Sequence, residues 1–393
     1  MRHFGYIAPD VRKRLFWREP SAFSADSSSR IISAALGATL YSPANRPYLA
    51  EDVLKQAERG VVSMVICLED SIDDGEVISA EKNLINQFVR LSQASFALPL
   101  LFIRVRTPQQ IPDITLRLGN AASIISGFAL PKFTEERGVA FLEALAEAEY
   151  LCGRPIYAMP ILESPDLLYL ESRADALSRI CRVLEKYRDR VLALRLGVTD
   201  FCSSYGLRRG PGMTAYDIQI VASMIADVVN VLSRADGTGF TVTGPVWEYF
   251  PVQERVFKHQ LRQSPFAEVQ AMELRRELIE HSMDGLLREI SLDQVNGLMG
   301  KTCIHPSHVL PVHALSVVSH EEFSDAQDIL KVEHRGGGVL RSAYTNKMNE
   351  VKPHRTWAER IVLRAELFGV ANQDVGFAEL LTAGQSALSL LPL

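Results

Sequence analysis

Apolar residues in this chain fall into short runs of strand length, separated by longer stretches in which they recur every three to four positions. Eight runs have the continuous, β-branched character of strands buried on both faces: 36–42, 63–69, 99–105, 126–132, 156–162, 191–197, 239–246 and 301–305. Between most of them lie helical patterns, such as LAEDVLKQAERG, ERGVAFLEALAEAEYL and AYDIQIVASMIADVVNVLSR. Eightfold strand–helix alternation predicts an α/β fold, a (β/α)8 TIM barrel; the rival is a doubly wound open sheet, and the count of eight favours the barrel. The segment 252–290 predicts two helices, one more than a barrel needs. Residues 1–30 read as a polar, irregular N-terminal extension, 31–310 as the barrel, and 311–393 as an α-rich C-terminal appendage that either caps the barrel mouth or crosses to a neighbouring subunit. Within the appendage the pattern predicts a helix over 320–334, a loop over 334–354 and a further helix over 355–370.

Several apolar runs end in charged residues, which is where a barrel places its active site. LFIRVR ends in Arg104 and Arg106, VICLED in Glu69 and Asp70, FALPK in Lys132, IYAMPILES in Glu163 and LALRLGVTD in Asp200. Glu163 and Asp200, from separate strands, suit a hard divalent cation such as Mg2+, which takes carboxylate oxygens and leaves positions for water and substrate. The competing reading makes each a helix-terminal residue. Arg104 in a barrel mouth calls for an anion, either a substrate oxo-acid or the neighbouring Glu69 and Asp70. Those two carboxylates either orient Arg104 and metal-bound water or cap the following helix. Arg106 either shares the face of Arg104 or sits on the rim. Lys132 reads as a charged partner of the carboxylates or as a Schiff-base nucleophile. His305, His308 and His313 read as structural or rim residues, because Pro306 prevents two of them sharing a helical face. The GGG at 336–338 lacks the continuation of a phosphate loop.

Composition narrows the function classes. The formal charge is −5 over 393 residues, with 47% hydrophobic positions and a pI near 6.0. That balance argues against nucleic acid as a partner. The five cysteines are scattered and odd in number, as in a reducing cytoplasm. The N-terminal segment lacks the apolar stretch of a signal peptide, and no segment reaches the roughly 18 apolar residues of a membrane span. A cytoplasmic enzyme of small molecules is the expectation.

Eight motifs in order carry a family resemblance. LYSPANRP resembles the LFVPGNRP-like opening of the citrate lyase β-subunit and HpcH/HpaI aldolase superfamily, VICLEDSI its LDLEDAV strand, and IRVR its IRVN strand. FALPK, PILESPD, RLGVTDFCSSYGL, GLMGKTCIHPSHV and KMNEVKPHRTWAERIV follow at similar spacing, from about residue 37 to 365. The N-terminal extension and the insertion before the last strand look most like the stand-alone bacterial C–C bond lyase branch. The resemblance implies a TIM barrel and Mg2+ held by Glu163 and Asp200. It places Arg104 on the substrate's oxo-acid, Glu69 and Asp70 on metal-bound water, and Lys132, Gly197, Val198 and Thr199 around the substrate. In relatives a loop near the C-terminus brings an aspartate to the next subunit's site; the matching residue here is Glu350, which implies a homo-oligomer, a trimer or hexamer. The family asparagine after the strand-three arginine is Arg106 here, an added positive charge that weighs against an acyl-CoA substrate.

The implied function is Mg-dependent carbon–carbon bond cleavage, of retro-aldol or retro-Claisen type, on a hydroxy acid or its CoA ester, with Arg104 and Glu350 as catalytic residues. The alternatives are a non-catalytic metabolite-binding subunit of a larger complex, and a thioesterase or condensing enzyme on the same barrel.

Overall fold

The computed structural model describes residues 1–250, 283–331 and 337–391. Its centre is a parallel barrel built from β2 (Ala38–Pro43), β3 (Ser63–Cys67), β4 (Leu100–Arg104), β5 (Ile125–Leu130), β6 (Tyr157–Leu162), β7 (Arg195–Leu196) and β8 (Lys301–Cys303), in the order β7-β6-β5-β4-β3-β2-β8. The run 239–246 forms no extended strand. It closes the ring through isolated parallel bridges, Leu194 to Val242 and Gly244 to Lys301. Every residue of β3 and β5 is buried, as expected of strands covered on both faces.

The helices behind the strands follow the amphipathic pattern. The helix Glu135–Cys152 starts where the Thr134 side chain accepts from the Arg137 amide and stops at Gly153 in a left-handed conformation. The helix Gln110–Leu118 follows β4, as strand–helix alternation requires. Of the two helices predicted in 252–290, residues 251–282 lie outside the described residues; Asp284–Val295 is helical.

Strand alternation puts one residue in two inside the barrel. Val65, Phe102, Ala129, Met159 and Ala193 form a cluster with Ile32, Ala35, Leu36 and Phe368. The helix Ser29–Ala35 and the end of the helix Val351–Phe368 therefore plug the N-terminal end of the barrel. The opposite end is left to the residues that follow the strands.

The N-terminal residues are less irregular than their sequence implies. They hold a helix Pro9–Leu15 and the strand β1 (Phe16–Arg18), which pairs antiparallel with β11 (Val370–Ala371). Phe4, Ile7, Leu15 and Phe16 share an apolar cluster with Leu310, Ala314, Leu380 and Leu381. The segment read as a loop over 334–354 contains an antiparallel hairpin, β9 (Val339–Arg341) and β10 (Met348–Glu350). The tail forms a helix, Phe377–Ser389.

Candidate active site

At the C-terminal end of the barrel, Arg104 gathers three carboxylates on one nitrogen. Its Nη2 lies 2.6 Å from Glu69 Oε2, 3.0 Å from Asp70 Oδ2 and 3.1 Å from Glu163 Oε1. Arg104 is the last residue of β4, Glu69 and Asp70 follow β3, and Glu163 follows β6, so three strands converge on one guanidinium. Lys132, in the left-handed region at φ +51°, donates its backbone N–H to Glu163 Oε1 at 2.8 Å and sets its Nζ 3.1 Å from Glu69 Oε1. A non-glycine residue at positive φ costs backbone energy; here the turn aims one residue's amide and ammonium at two different carboxylates.

Glu163 packs against Gly197, where a Cβ would lie 2.3 Å from Glu163 Cβ and 2.5 Å from its Oε2. Asp200 stands in the first turn of the helix Val198–Ser203, near enough for its charge to act on Glu163. Val198 is buried, and Thr199 donates its hydroxyl to Glu248 Oε1 at 2.7 Å. Ser164, not Glu163, is the residue that opens the following 3-10 turn. The turn after Asp70 is capped by Asp73, so the capping readings of Glu163, Glu69 and Asp70 fall away.

Crowded carboxylates, with Glu69 and Glu163 buried, titrate unusually. Burial, with the nearby Asp200 charge added, pushes Glu163 up to about 7 despite Arg104. Burial and Asp70 raise Asp200, and burial raises Glu69. Asp70 resists its own burial and is held below the ordinary range by its contacts with Glu69, Arg104 and Lys132. For Lys132, burial opposes the charge, but the Glu69 hydrogen bond and the surrounding carboxylates raise the pKa above the ordinary value. A lysine held charged in this way is a poor Schiff-base nucleophile.

Arg106 turns away from the site. It donates to the carbonyl oxygens of Leu68 at 2.7 Å, Ile72 at 2.5 Å and Glu69 at 3.2 Å and pairs with Asp74. Its charge is absorbed in pinning the loop that carries Glu69 and Asp70. The added positive charge expected from its sequence is therefore not displayed to a ligand. Glu350 ends β10, exposed, and its backbone N–H meets His354 Nδ1 at 3.1 Å; no hydrogen bond or ion pair joins it to the carboxylate cluster among the described residues. Its hairpin is tied to the appendage through Asn349 and Asp325 at 2.9 Å. His308 is buried with Nε2 2.8 Å from the Tyr249 carbonyl oxygen, and His313 Nε2 accepts from the Ala38 amide at 3.3 Å.

Among the described residues, no group of three or more His, Cys, Asp and Glu side chains is arranged to hold a metal ion. Arg104 and Lys132 stand between the carboxylates instead. The donor set itself fits a hard cation. Glu163 and Asp200 offer only oxygens, and the repulsion between their charges is what a divalent cation held by both would neutralise.

Several buried charges carry no strand-end signal, Arg195 among them. Arg195 lies inside the β7 run LALRLG, and a basic residue within an apolar run was the signal.

No helix among the described residues is long and apolar enough to cross a membrane. No curated protein matches the sequence. Among solved structures, a citrate lyase from Burkholderia xenovorans LB400 superposes with a TM-score of 0.60 at 15% identity, covering 88% of this chain and 96% of the other. The CitE protein of Mycobacterium tuberculosis, in complex with magnesium, acetoacetate and coenzyme A, gives a TM-score of 0.51 at 20% identity, covering 85% and 99%. At these identities the likeness is one of fold. The family model for C–C bond lyases of the TIM-barrel fold matches residues 30–370. That span holds all eight barrel runs and every carboxylate of the cluster, and the chain belongs to this family of carbon–carbon lyases.

Proposed function

We propose that the chain cleaves a carbon–carbon bond in a small hydroxy acid or its CoA ester, in a Mg2+-dependent retro-aldol or retro-Claisen reaction. The observation that carries this reading is the convergence of Arg104 with Glu69, Asp70 and Glu163 beside Asp200 at the barrel mouth. The structurally similar M. tuberculosis protein holds magnesium with acetoacetate and coenzyme A, which supports the same ligand class here.

Glu163 and Asp200 would hold the ion, which when bound supplies Lewis-acid polarisation of substrate oxygens. Glu69 and Asp70 orient Arg104 and the water around the site. Arg104 binds the substrate's oxo-acid and stabilises the enolate oxygen that develops as the bond breaks, with charge already in place. Lys132 balances the carboxylates, and the Gly197–Thr199 turn shapes the wall beside Glu163. Glu350 carries the proton of the substrate hydroxyl. Since no hydrogen bond or ion pair among the described residues joins it to the cluster of its own chain, that role calls for a second copy and hence a homo-oligomer. A cytoplasmic location accords with the free cysteines.

The test is a Mg2+ titration by calorimetry, with and without oxalate, on wild type and Asp200→Ala. Metal-dependent oxalate binding that disappears in the variant is the expected result. A folded wild type that binds neither would overturn the enzyme reading and leave a metabolite-binding subunit. In an assay of the identified substrate, Arg104→Gln should keep its circular dichroism spectrum and lose about 10²–10³ in turnover, the usual cost of one oxyanion donor.

A further inference from the structure

Below the carboxylate cluster the barrel interior contains a second polar layer, which neither the ion nor Arg104 requires. Arg195 is 1% exposed and projects from β7 across the barrel. Its Nη2 meets Thr302 Oγ1 on β8 at 2.9 Å, and its Nη1 meets Thr39 Oγ1 on β2 at 3.4 Å and Met159 Sδ on β6 at 3.5 Å. Among the described residues its Nε has no hydrogen-bond partner. Among the described residues no carboxylate lies in salt-bridge range, so all of its near partners are neutral. A buried guanidinium without an anion is strongly disfavoured, and it persists only where negative charge is held nearby.

The residue between this cation and the mouth is Tyr41. It stands two positions after Thr39 on β2, so it faces the same interior, and the Arg195 guanidinium lies 5.5 Å from its ring centre. The phenol lies within electrostatic reach of Arg195, Arg104 and Glu163 together. Its hydroxyl makes no hydrogen bond with any described residue. A half-buried phenol in a barrel interior normally finds an acceptor. Here an unused donor lies beside Arg195, within electrostatic reach of Arg104 and of Glu163 in the carboxylate cluster.

We propose that Tyr41 and Arg195 form the floor of the substrate site: the Tyr41 hydroxyl donates to an anionic oxygen of the bound oxo- or hydroxy acid, and Arg195 supplies the positive potential that favours burying that oxygen. Tyr41 touches the substrate, and Arg195 is a positioning residue acting through it. The substrate class this implies is an acid with two separated anionic oxygens, one held at the rim by Arg104 and one reaching down to Tyr41. The inference rests on the lyase reading above, and the experiment separates the two.

The experiment is calorimetric titration of the full chain with Mg2+ alone, then with oxalate in saturating Mg2+. Tyr41→Phe, which removes one oxygen atom, should leave the Mg2+ affinity unchanged and weaken oxalate about tenfold, the loss typical of a hydrogen bond to a charged group. Arg195→Met should weaken oxalate at least as much, and Arg195→Lys should restore part of it, which a purely structural role in packing would not do. Should Arg195→Met fail to fold, the Tyr41→Phe comparison decides by itself. Oxalate affinity within twofold of wild type in Tyr41→Phe overturns the floor while leaving the lyase reading intact. Absence of both Mg2+ and oxalate binding in wild type overturns both.

Discussion

Gly197 shows how much of the site depends on a missing side chain. Its φ is −88°, ordinary for any residue, so backbone strain is not why glycine stands there. The reason is the 2.3 Å that would separate an added Cβ from Glu163 Cβ. Gly197→Ala should therefore displace the Glu163 carboxylate, cost about 1–3 kcal/mol through overpacking, and weaken Mg2+ binding while the barrel still folds. Calorimetry with Mg2+ checks this; unchanged affinity would mean Glu163 is not a ligand. At this scale the strand-end carboxylates and Arg104 were legible, because a charge directly after a buried strand is costly unless the barrel mouth makes use of it. The destination of Arg106 was not. Whether a guanidinium faces a substrate or a loop carbonyl is decided by where a loop far along the chain folds back.

At the scale of elements, barrel closure is the point where the pattern and the fold differ most. The run 239–246 reads as a strand, yet only Val242 and Gly244 bridge their neighbours. An added Cβ on Gly244 would lie 2.4 Å from Asp293 Oδ2 and 2.9 Å from the Gly300 carbonyl oxygen, so the chain passes too close to the helix behind it for an ordinary side chain. That helix, Asp284–Val295, is fastened to β8 by Lys301, whose Nζ lies 2.8 Å from Glu289 Oε1 and 2.7 Å from Asp293 Oδ2. Arg209 adds a second cation on Glu289 at 2.8 Å. Burial pushes Asp293 up to about 6 even with Lys301 beside it. Lys301→Met leaves these acids with one cation fewer and should cost about 3–5 kcal/mol, as removing one partner of a buried ion pair does. Urea unfolding measures it, and a loss under about 1 kcal/mol would mean that water replaces the ammonium. The strand run KTCIH was legible from its apolar residues. The role of its lysine was not, because both acids that hold it come from a helix earlier in the chain whose facing depends on the closed barrel.

At the scale of the whole molecule, the two ends of the chain are joined. β1 pairs with β11, and Phe4, Ile7 and Phe16 pack against the last helix. His3 stacks on Phe368 with ring centres 4.1 Å apart and lies against His313. These histidines are buried and uncharged: burial holds His3 down to about 3 and His308 to about 4, and drives His313 well below its ordinary value. The unfolded chain takes up these protons near pH 6.5, whereas the folded chain resists them until about pH 4 or lower, so their contribution is complete above pH 6.5 and is lost as the pH falls. The raised carboxylates act in the opposite sense, so the informative comparison is between wild type and His308→Gln. Between about pH 7.5 and 4.5 the variant should lose about 2–3 kcal/mol less stability than wild type, measured by denaturant titration at the two pH values; equal losses would show that His308 is already charged in the fold. The sequence by itself determined the repeating strand and helix pattern, the family and the strand-end positions of Glu69, Arg104, Lys132, Glu163 and Asp200, because those follow from local periodicity and from the cost of placing charge after buried strands. Only the tertiary structure decided that one nitrogen of Arg104 serves three carboxylates, that Arg195 and Tyr41 meet beneath them, and that the first and last segments close on each other. Each of those depends on contacts between residues far apart in the chain, and no short-range pattern encodes the distance between them.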